Sequence, residues 1–165
     1  MRVVIRPARP DDAAGIVSVL EAVVAERRYS AIDRVWPVAD ERTHLESFSP
    51  REAVHLALDD GGIIVGLQIL DRWSPLESMS HVGQLGTFLL PSWRRKGVGR
   101  RLWESTVAFA RDAAYRKIVI YVRASNADGQ AFYRRLGFAP CGRLSKQVVI
   151  DGVADDEVMM ERHLD

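Results

Sequence analysis

The residues Arg94-Arg95-Lys96-Gly97-Val98-Gly99-Arg100 set four cations around two glycines. Without a Cβ at Gly97 and Gly99, a bulky anion can come close to the main chain. An apolar run ending at Leu89-Leu90-Pro91 precedes the segment, and an amphipathic stretch follows from Val98. The segment is therefore a turn from a strand into a helix. The first N–H groups of a helix have no partners within it, and the helix dipole favours negative charge there. Phosphate groups are the natural guests of such a turn. It is not a Walker A loop, because GxxxxGK[ST] is absent. Nor is it a dinucleotide fingerprint, because Leu102 stands where the third glycine belongs. Alone, Gly-x-Gly more often marks a plain tight turn with solvated arginines; the basic flank and the strand-turn-helix setting shift the reading to an anion site.

The elements around this turn read as one α/β domain over residues 1–165. Val3 to Arg6 is a short strand. Pro10-Asp11-Asp12 opens a helix with Ile16, Val19, Leu20, Val23 and Val24 at helical spacing. A second helix spans Val38 to Phe48. Residues 53–58 alternate as a strand, Asp59-Asp60-Gly61-Gly62 turns the chain, and Ile63 to Leu70 returns. Asp71 to Ser80 reads as a loop and His81 to Leu90 as a strand. Val98 to Ala114 places Leu102, Trp103, Thr106, Val107 and Ala110 on one side and Arg100, Arg101, Glu104 and Arg111 on the other. Ile118 to Val122 is uniformly apolar, as a strand covered on both faces is. The crossover makes strands 81–90 and 118–122 parallel. A helix from Ala127 to Leu136, capped by Ser125 or Asn126 and ended by Gly137, leads to a hairpin of Arg143 to Ile150 and Val158 to Leu164. The sheet is mixed, with helices on both faces.

Composition narrows the function. The chain has 165 residues, 23 Lys plus Arg against 22 Asp plus Glu, and a net charge of +1. That balance disfavours a nucleic-acid partner and points to a local anionic ligand. One cysteine, Cys141, allows neither an internal disulfide nor a thiol pair for a metal. The N-terminus lacks the apolar core of a signal peptide, and no stretch is apolar enough to span a membrane. The expected setting is a reducing cytoplasm.

Arg94-x-x-Gly97-x-Gly99, after Leu89-Leu90-Pro91, resembles the acetyl-CoA pyrophosphate loop of the GNAT superfamily of acyl-CoA-dependent N-acyltransferases. Asn126 followed by Ala131-Phe132-Tyr133-Arg134-Arg135-Leu136-Gly137-Phe138 resembles a second block of that family. The order of elements fits over nearly the whole chain. The resemblance implies a mostly antiparallel sheet that splays between its two parallel strands, with the pantetheine arm of acetyl-CoA in the gap. It places the cofactor against Leu89, Leu90, Arg94, Arg95, Lys96, Gly97, Val98, Gly99, Arg100 and Asn126. The N–H groups of Arg95, Gly97, Gly99 and Arg100 would hold the pyrophosphate. Asn126 fits a contact to the arm and a helix cap equally well.

Attack of an amine on a thioester needs a neutral amine, donors for the developing oxyanion and a proton for the leaving thiolate. The resemblance makes Tyr133 the proton donor, since a phenol of pKa about 10 stays protonated at neutral pH. Main-chain N–H groups near Thr87 and Leu89 would face the oxyanion. Some relatives carry a glutamate base eleven residues before the loop arginine, where this chain has Gly83. His81, two residues earlier, has a suitable pKa near 6.5, and Glu26, Glu77 or an ordered water are alternatives. The expected activity is acetyl transfer to a primary amine of a small molecule or protein, with no metal. The alternative is a sensor that binds acetyl-CoA without turnover. The acceptor pocket is expected around Tyr29 to Pro37 and Asp71 to Ser80, with Trp36 and Trp73. Pairing into a homodimer is common in such proteins.

Overall fold

The computed structural model describes residues 2–165. Its strands are β1 (Val4–Pro7), β2 (Ala53–Leu58), β3 (Ile64–Arg72), β4 (Val82–Leu89), β5 (Lys117–Arg123), β6 (Ala139–Ile150) and β7 (Val153–His163). They form one seven-stranded sheet in the order β1-β2-β3-β4-β5-β7-β6. The helices are α1 (Ala13–Ala25), α2 (Val38–Glu46), α3 (Val98–Asp112) and α4 (Ala127–Arg135). All strand pairs are antiparallel except β4 with β5.

Side chains of one strand alternate between the two faces, and each face has its own cover. Ile16, Val19 and Leu20 of α1 pack on Val54, Leu56 and Leu67 of one face. Trp103, Val107 and Ala110 of α3 pack on Leu70, Leu85, Ile118 and Ile120 of the other. Tyr133, Leu136 and Phe138 join that second cluster from α4 and the turn after it.

The parallel pair is short. Val82, Gly83 and Gln84 pair with Lys117, Ile118 and Val119, and there the pairing of β4 with β5 ends. β4 stays paired with β3 as far as Leu89. The sheet therefore parts between β4 and β5 beyond Leu85. Leu90 N–H donates to Val65, and Val82 C=O accepts from Trp73. By alternation, the N–H groups of Leu85, Thr87 and Leu89 turn the other way: Leu85 closes the last bridge to β5, and Thr87 and Leu89 open into the gap.

Several boundaries depart from the sequence reading. The β6–β7 hairpin is longer, from Ala139 to His163, because Pro140 and Gly142 are absorbed by an irregular edge strand. Pro is tolerated there because an edge strand need not donate on its outer side. β3 runs on through Asp71 and Arg72, and Glu77–Met79 form a 3-10 turn in the loop beyond. α3 stops at Asp112, and Ala114 has a left-handed φ of 64°. α2 ends at Glu46 rather than Phe48.

Candidate functional site

A cleft of about 1580 Å³ opens where the sheet parts. That exceeds the roughly 300–1,000 Å³ of an ordinary small-ligand pocket, so a long cofactor and a second substrate can share it. One end is the turn into α3. Gly97 takes φ 78° and Arg95 φ 58°, so two left-handed residues alternate with Lys96 between them. Such a sequence of conformations turns successive N–H groups toward one concave spot that suits an anion. Gly97 is the N-cap of α3, and its carbonyl accepts from Arg101 N–H. The N–H groups of Val98, Gly99 and Arg100 lie in the unpartnered first turn.

Not all residues expected at this end face the cleft. Leu89, Arg94, Arg95, Gly97, Gly99, Arg100 and Asn126 line it. Leu90, Lys96 and Val98 do not: Val98 is buried against Leu102, Leu90 packs in the core, and Lys96 donates to Ser92 C=O. Arg94 is taken up by the protein itself. Its guanidinium grips Glu26 at the end of α1, with Nη1 donating to Oε2 at 2.8 Å. It also donates from Nε to Leu89 C=O at 3.1 Å and lies over the Tyr29 ring. Asn126 caps α4, its Oδ1 accepting from Gly129 N–H at 2.9 Å.

Tyr133 lies on the floor of the cleft, buried between Phe132 and Phe138. Its hydroxyl donates to Thr87 Oγ1 at 2.9 Å. Burial pushes the Tyr133 phenol up to about 12, with the Thr87 contact pulling weakly the other way. Thr87 Oγ1 receives a second bond, from Gln68 Nε2, also at 2.9 Å. Gln68 is fully buried on β3, in register with both Thr87 and His55. The sequence reading considered only the main chain of Thr87 and passed over Gln68.

On the α1 side of the gap stand Tyr121, Arg123 and Glu157, all lining the cleft. Arg123 pairs across the ladder with Glu157, yet its guanidinium is committed to Asp155 at 2.9 Å. Glu157 has no hydrogen bond or ion pair among the described residues. Burial pushes its carboxyl above the usual range, and the neighbouring Asp155 charge adds to that. Trp73 stacks on Tyr121 with ring centroids 5.5 Å apart. Of the two segments expected to form the far pocket, Tyr29 to Ile32 line the cleft, and the second reaches it through this stack. Trp36 instead packs edge-on against His44.

The bases named from the sequence do not converge on Tyr133. His81 precedes β4, is exposed and does not line the cleft. Its carbonyl accepts from Arg116 and Lys117 N–H. Glu77 sits in the exposed 3-10 turn, and Glu26 is spent on Arg94. Gly83 has a steric reason. A Cβ there would stand 2.9 Å from Ile118 Cδ1 and 3.0 Å from Leu70 Cδ1, so core side chains fill the place of a glutamate. Among the described residues no cluster of side chains suits a metal ion, and no helix is long and apolar enough to cross a membrane.

Comparison with known proteins gives a consistent result. The model of the acetyltransferase (GNAT) family matches residues 20–138. An aminoglycoside N(6')-acetyltransferase type 1 from Stenotrophomonas maltophilia is 33% identical over 118 residues, 67% of this chain and 76% of that protein. A phosphinothricin acetyltransferase from Sinorhizobium meliloti, solved in complex with acetyl-CoA, superposes with a TM-score of 0.91 at 19% identity, covering 99% of this chain and 89% of that one. A ribosomal-protein-alanine N-acetyltransferase from Brucella melitensis gives 0.88 at 22% identity, covering 97% and 99%.

Proposed function

The chain belongs to the acetyltransferase (GNAT) family, and on that premise we propose that it transfers an acetyl group from acetyl-CoA to a primary amine. The pyrophosphate lies on the left-handed turn at Arg95 and Gly97 and on the first N–H groups of α3. The pantetheine arm runs along the open edge of β4, as an added strand would. The acetyl carbonyl then lies near Thr87, with main-chain N–H groups of that edge as oxyanion donors. Arg94 braces α1 against the end of β4 and so holds the mouth of the gap, rather than pairing with phosphate.

The acceptor enters from the α1 side, where Glu157 stands unpaired beside Tyr121. A carboxylate there suits a cationic amine, such as those of aminoglycosides, the acceptors named for the relative above. Glu157 takes one proton from the ammonium, because His81 stands away from the cleft. The neutral nitrogen attacks the thioester carbonyl and sheds its surplus proton to water, the C–S bond breaks, and Tyr133 gives its proton to the sulfur. The reaction belongs to the reducing cytoplasm, where the one thiol, Cys141, stays free.

The observation that carries this reading is the Tyr133 hydroxyl, buried in the cleft against the strand whose edge is open. The test follows release of the CoA thiol from acetyl-CoA with a panel of primary amines, for wild type and Tyr133→Phe. The expected result is transfer by wild type and a rate about 10² lower for the variant, the lower end of what a positioned acid contributes. CoA affinity should match in both. Binding without transfer to any amine would leave an acetyl-CoA sensor instead. Equal rates would strip Tyr133 of its role.

A further inference from the structure

Tyr133 is poorly placed to be an acid on its own. Burial strengthens the hold of the phenol on its proton, and the leaving group is the anion of a thiol, which ordinarily titrates near 8.5. Something must steady the phenolate as it forms. A hydroxyl has one proton and two lone pairs, and its proton can swing between partners. Thr87 Oγ1 accepts from both Tyr133 Oη and Gln68 Nε2, each at 2.9 Å. Thr87's own proton has no acceptor among the described residues. Gln68 is fully buried on a central strand, and its Oε1 has no partner among the described residues. A buried amide oxygen without a partner is costly, and the amide's one hydrogen bond among the described residues is the one to Thr87.

We propose that Gln68 is a positioning residue that keeps Thr87 ready to donate its hydroxyl proton to Tyr133, and that this Gln68–Thr87 pair makes Tyr133 a competent acid. The inference rests on the reading of Tyr133 as proton donor. In the free protein the Tyr133 O–H donates to Thr87. When the C–S bond breaks, the sulfur takes that proton. Thr87 then swings its own proton toward the phenolate across the same 2.9 Å contact, while the Gln68 N–H continues to hold its lone pair. No proton leaves Thr87. After the products depart, Tyr133 regains from water the proton that the attacking nitrogen shed, and Glu157 gives the ammonium's first proton to water, so the cycle closes with one proton released. Hydrogen bonding to the charged form is what lowers the pKa of a group.

The other charged or titratable groups around this contact do not compete for the phenolate. His55, the neighbour of Gln68 on β2, is buried and held toward its neutral form, with Nδ1 3.0 Å from Thr106 Oγ1. From α4 and the turn after it the neighbours are the rings of Phe132 and Phe138, and from α3 the cover is Trp103. Arg162, over the Trp103 ring, donates to Leu136 C=O.

The test measures kcat, KM for acetyl-CoA and melting temperature for Thr87→Val, Thr87→Ser, Gln68→Leu, Tyr133→Phe and the double variant Tyr133→Phe/Thr87→Val. Thr87→Val and Gln68→Leu should each lower kcat about 10–100-fold, the worth of one hydrogen bond to an ionised group. KM should hold. Thr87→Ser should restore most of the rate. Gln68→Leu removes the unpartnered oxygen along with the amide, so its melting temperature should not fall. The double variant should be no slower than Tyr133→Phe, since without a phenol Thr87 has nothing to serve. Wild-type kcat in Thr87→Val alongside a slow Tyr133→Phe would overturn the pairing and leave the acid. A double variant slower by the product of the two single effects would also overturn it, because Thr87 would then act independently. Wild-type kcat in Tyr133→Phe would overturn both.

Discussion

Gly97→Ala separates the cofactor loop from the stability of the fold. Gly97 has φ 78°, and a Cβ built on it meets nothing within 4 Å. The methyl group clashes with no protein atom, so the cost of folding is only that of a left-handed alanine, about 1–2 kcal/mol. For a domain of this size, each kcal/mol lowers the melting temperature by about 2–4 °C, so the variant should melt roughly 2–8 °C early. The empty space that receives the methyl group is the space proposed for the pyrophosphate. Loss of one charge-assisted hydrogen bond, about 1.5–3 kcal/mol, should weaken CoA binding roughly 10–100-fold. Calorimetric titration with CoA, and with acetyl-pantetheine as a ligand that has no pyrophosphate, gives the contrast. Affinity for CoA should fall, and affinity for acetyl-pantetheine should not. Wild-type affinity for CoA in folded Gly97→Ala would refute the assignment of the loop. Gly99 is a poorer probe, because a Cβ there stands 2.9 Å from the Phe132 ring, next to Tyr133.

Glu157→Gln should slow transfer and remove the rise of rate with pH that follows ionisation of this raised carboxyl; an unchanged pH–rate curve would assign deprotonation to water. Because Tyr133 is held near 12, the rate should show no loss from its ionisation up to about pH 10, and a fall by about pH 9 in step with phenolate absorbance would contradict that burial. Glu41 is buried under α2 with its carboxyl raised, chiefly by burial and further by Asp71. A raised carboxyl favours folding when protonated and loses that benefit as pH rises through its folded value. Glu41→Gln should therefore melt above wild type at pH 7, with the difference closing below about pH 4, and the reverse trend in thermal melts would refute the sign.

The turn at Arg94 to Arg100 and the helix after it were legible because glycine spacing, cation clustering and helical periodicity act over a few residues. The parallel β4–β5 pair followed from the helical crossover that joins the two strands. The early parting of the pair carries no local signal, since it depends on β4 staying with β3 while β5 turns to β7. The grip of Arg94 on Glu26 joins residues 68 positions apart, and nothing in either neighbourhood announces it. His81 was placed by alternation, but the strand begins one residue later, beyond the reach of the cleft. Gln68 hid inside an apolar run that reads as core. Glu157 hid in an acidic stretch that reads as turn, and becomes strand because Arg123 on one side and Leu144 on the other pair with it.

The parting of the sheet also bears on how the protein breathes. β4 lies in the middle of the sheet, where amides ordinarily exchange with solvent only on global unfolding. Those of Thr87 and Leu89 point into an open gap, so without ligand they should exchange like the rim of a sheet, while Gly86, Phe88 and Leu90 beside them stay protected. This two-residue rhythm of fast and slow deuterium uptake is a fingerprint of the unfilled gap. An unpaired strand edge is also a site where another chain can add, and here it is sunk inside the molecule, where only something as slim as a single extended arm can reach it.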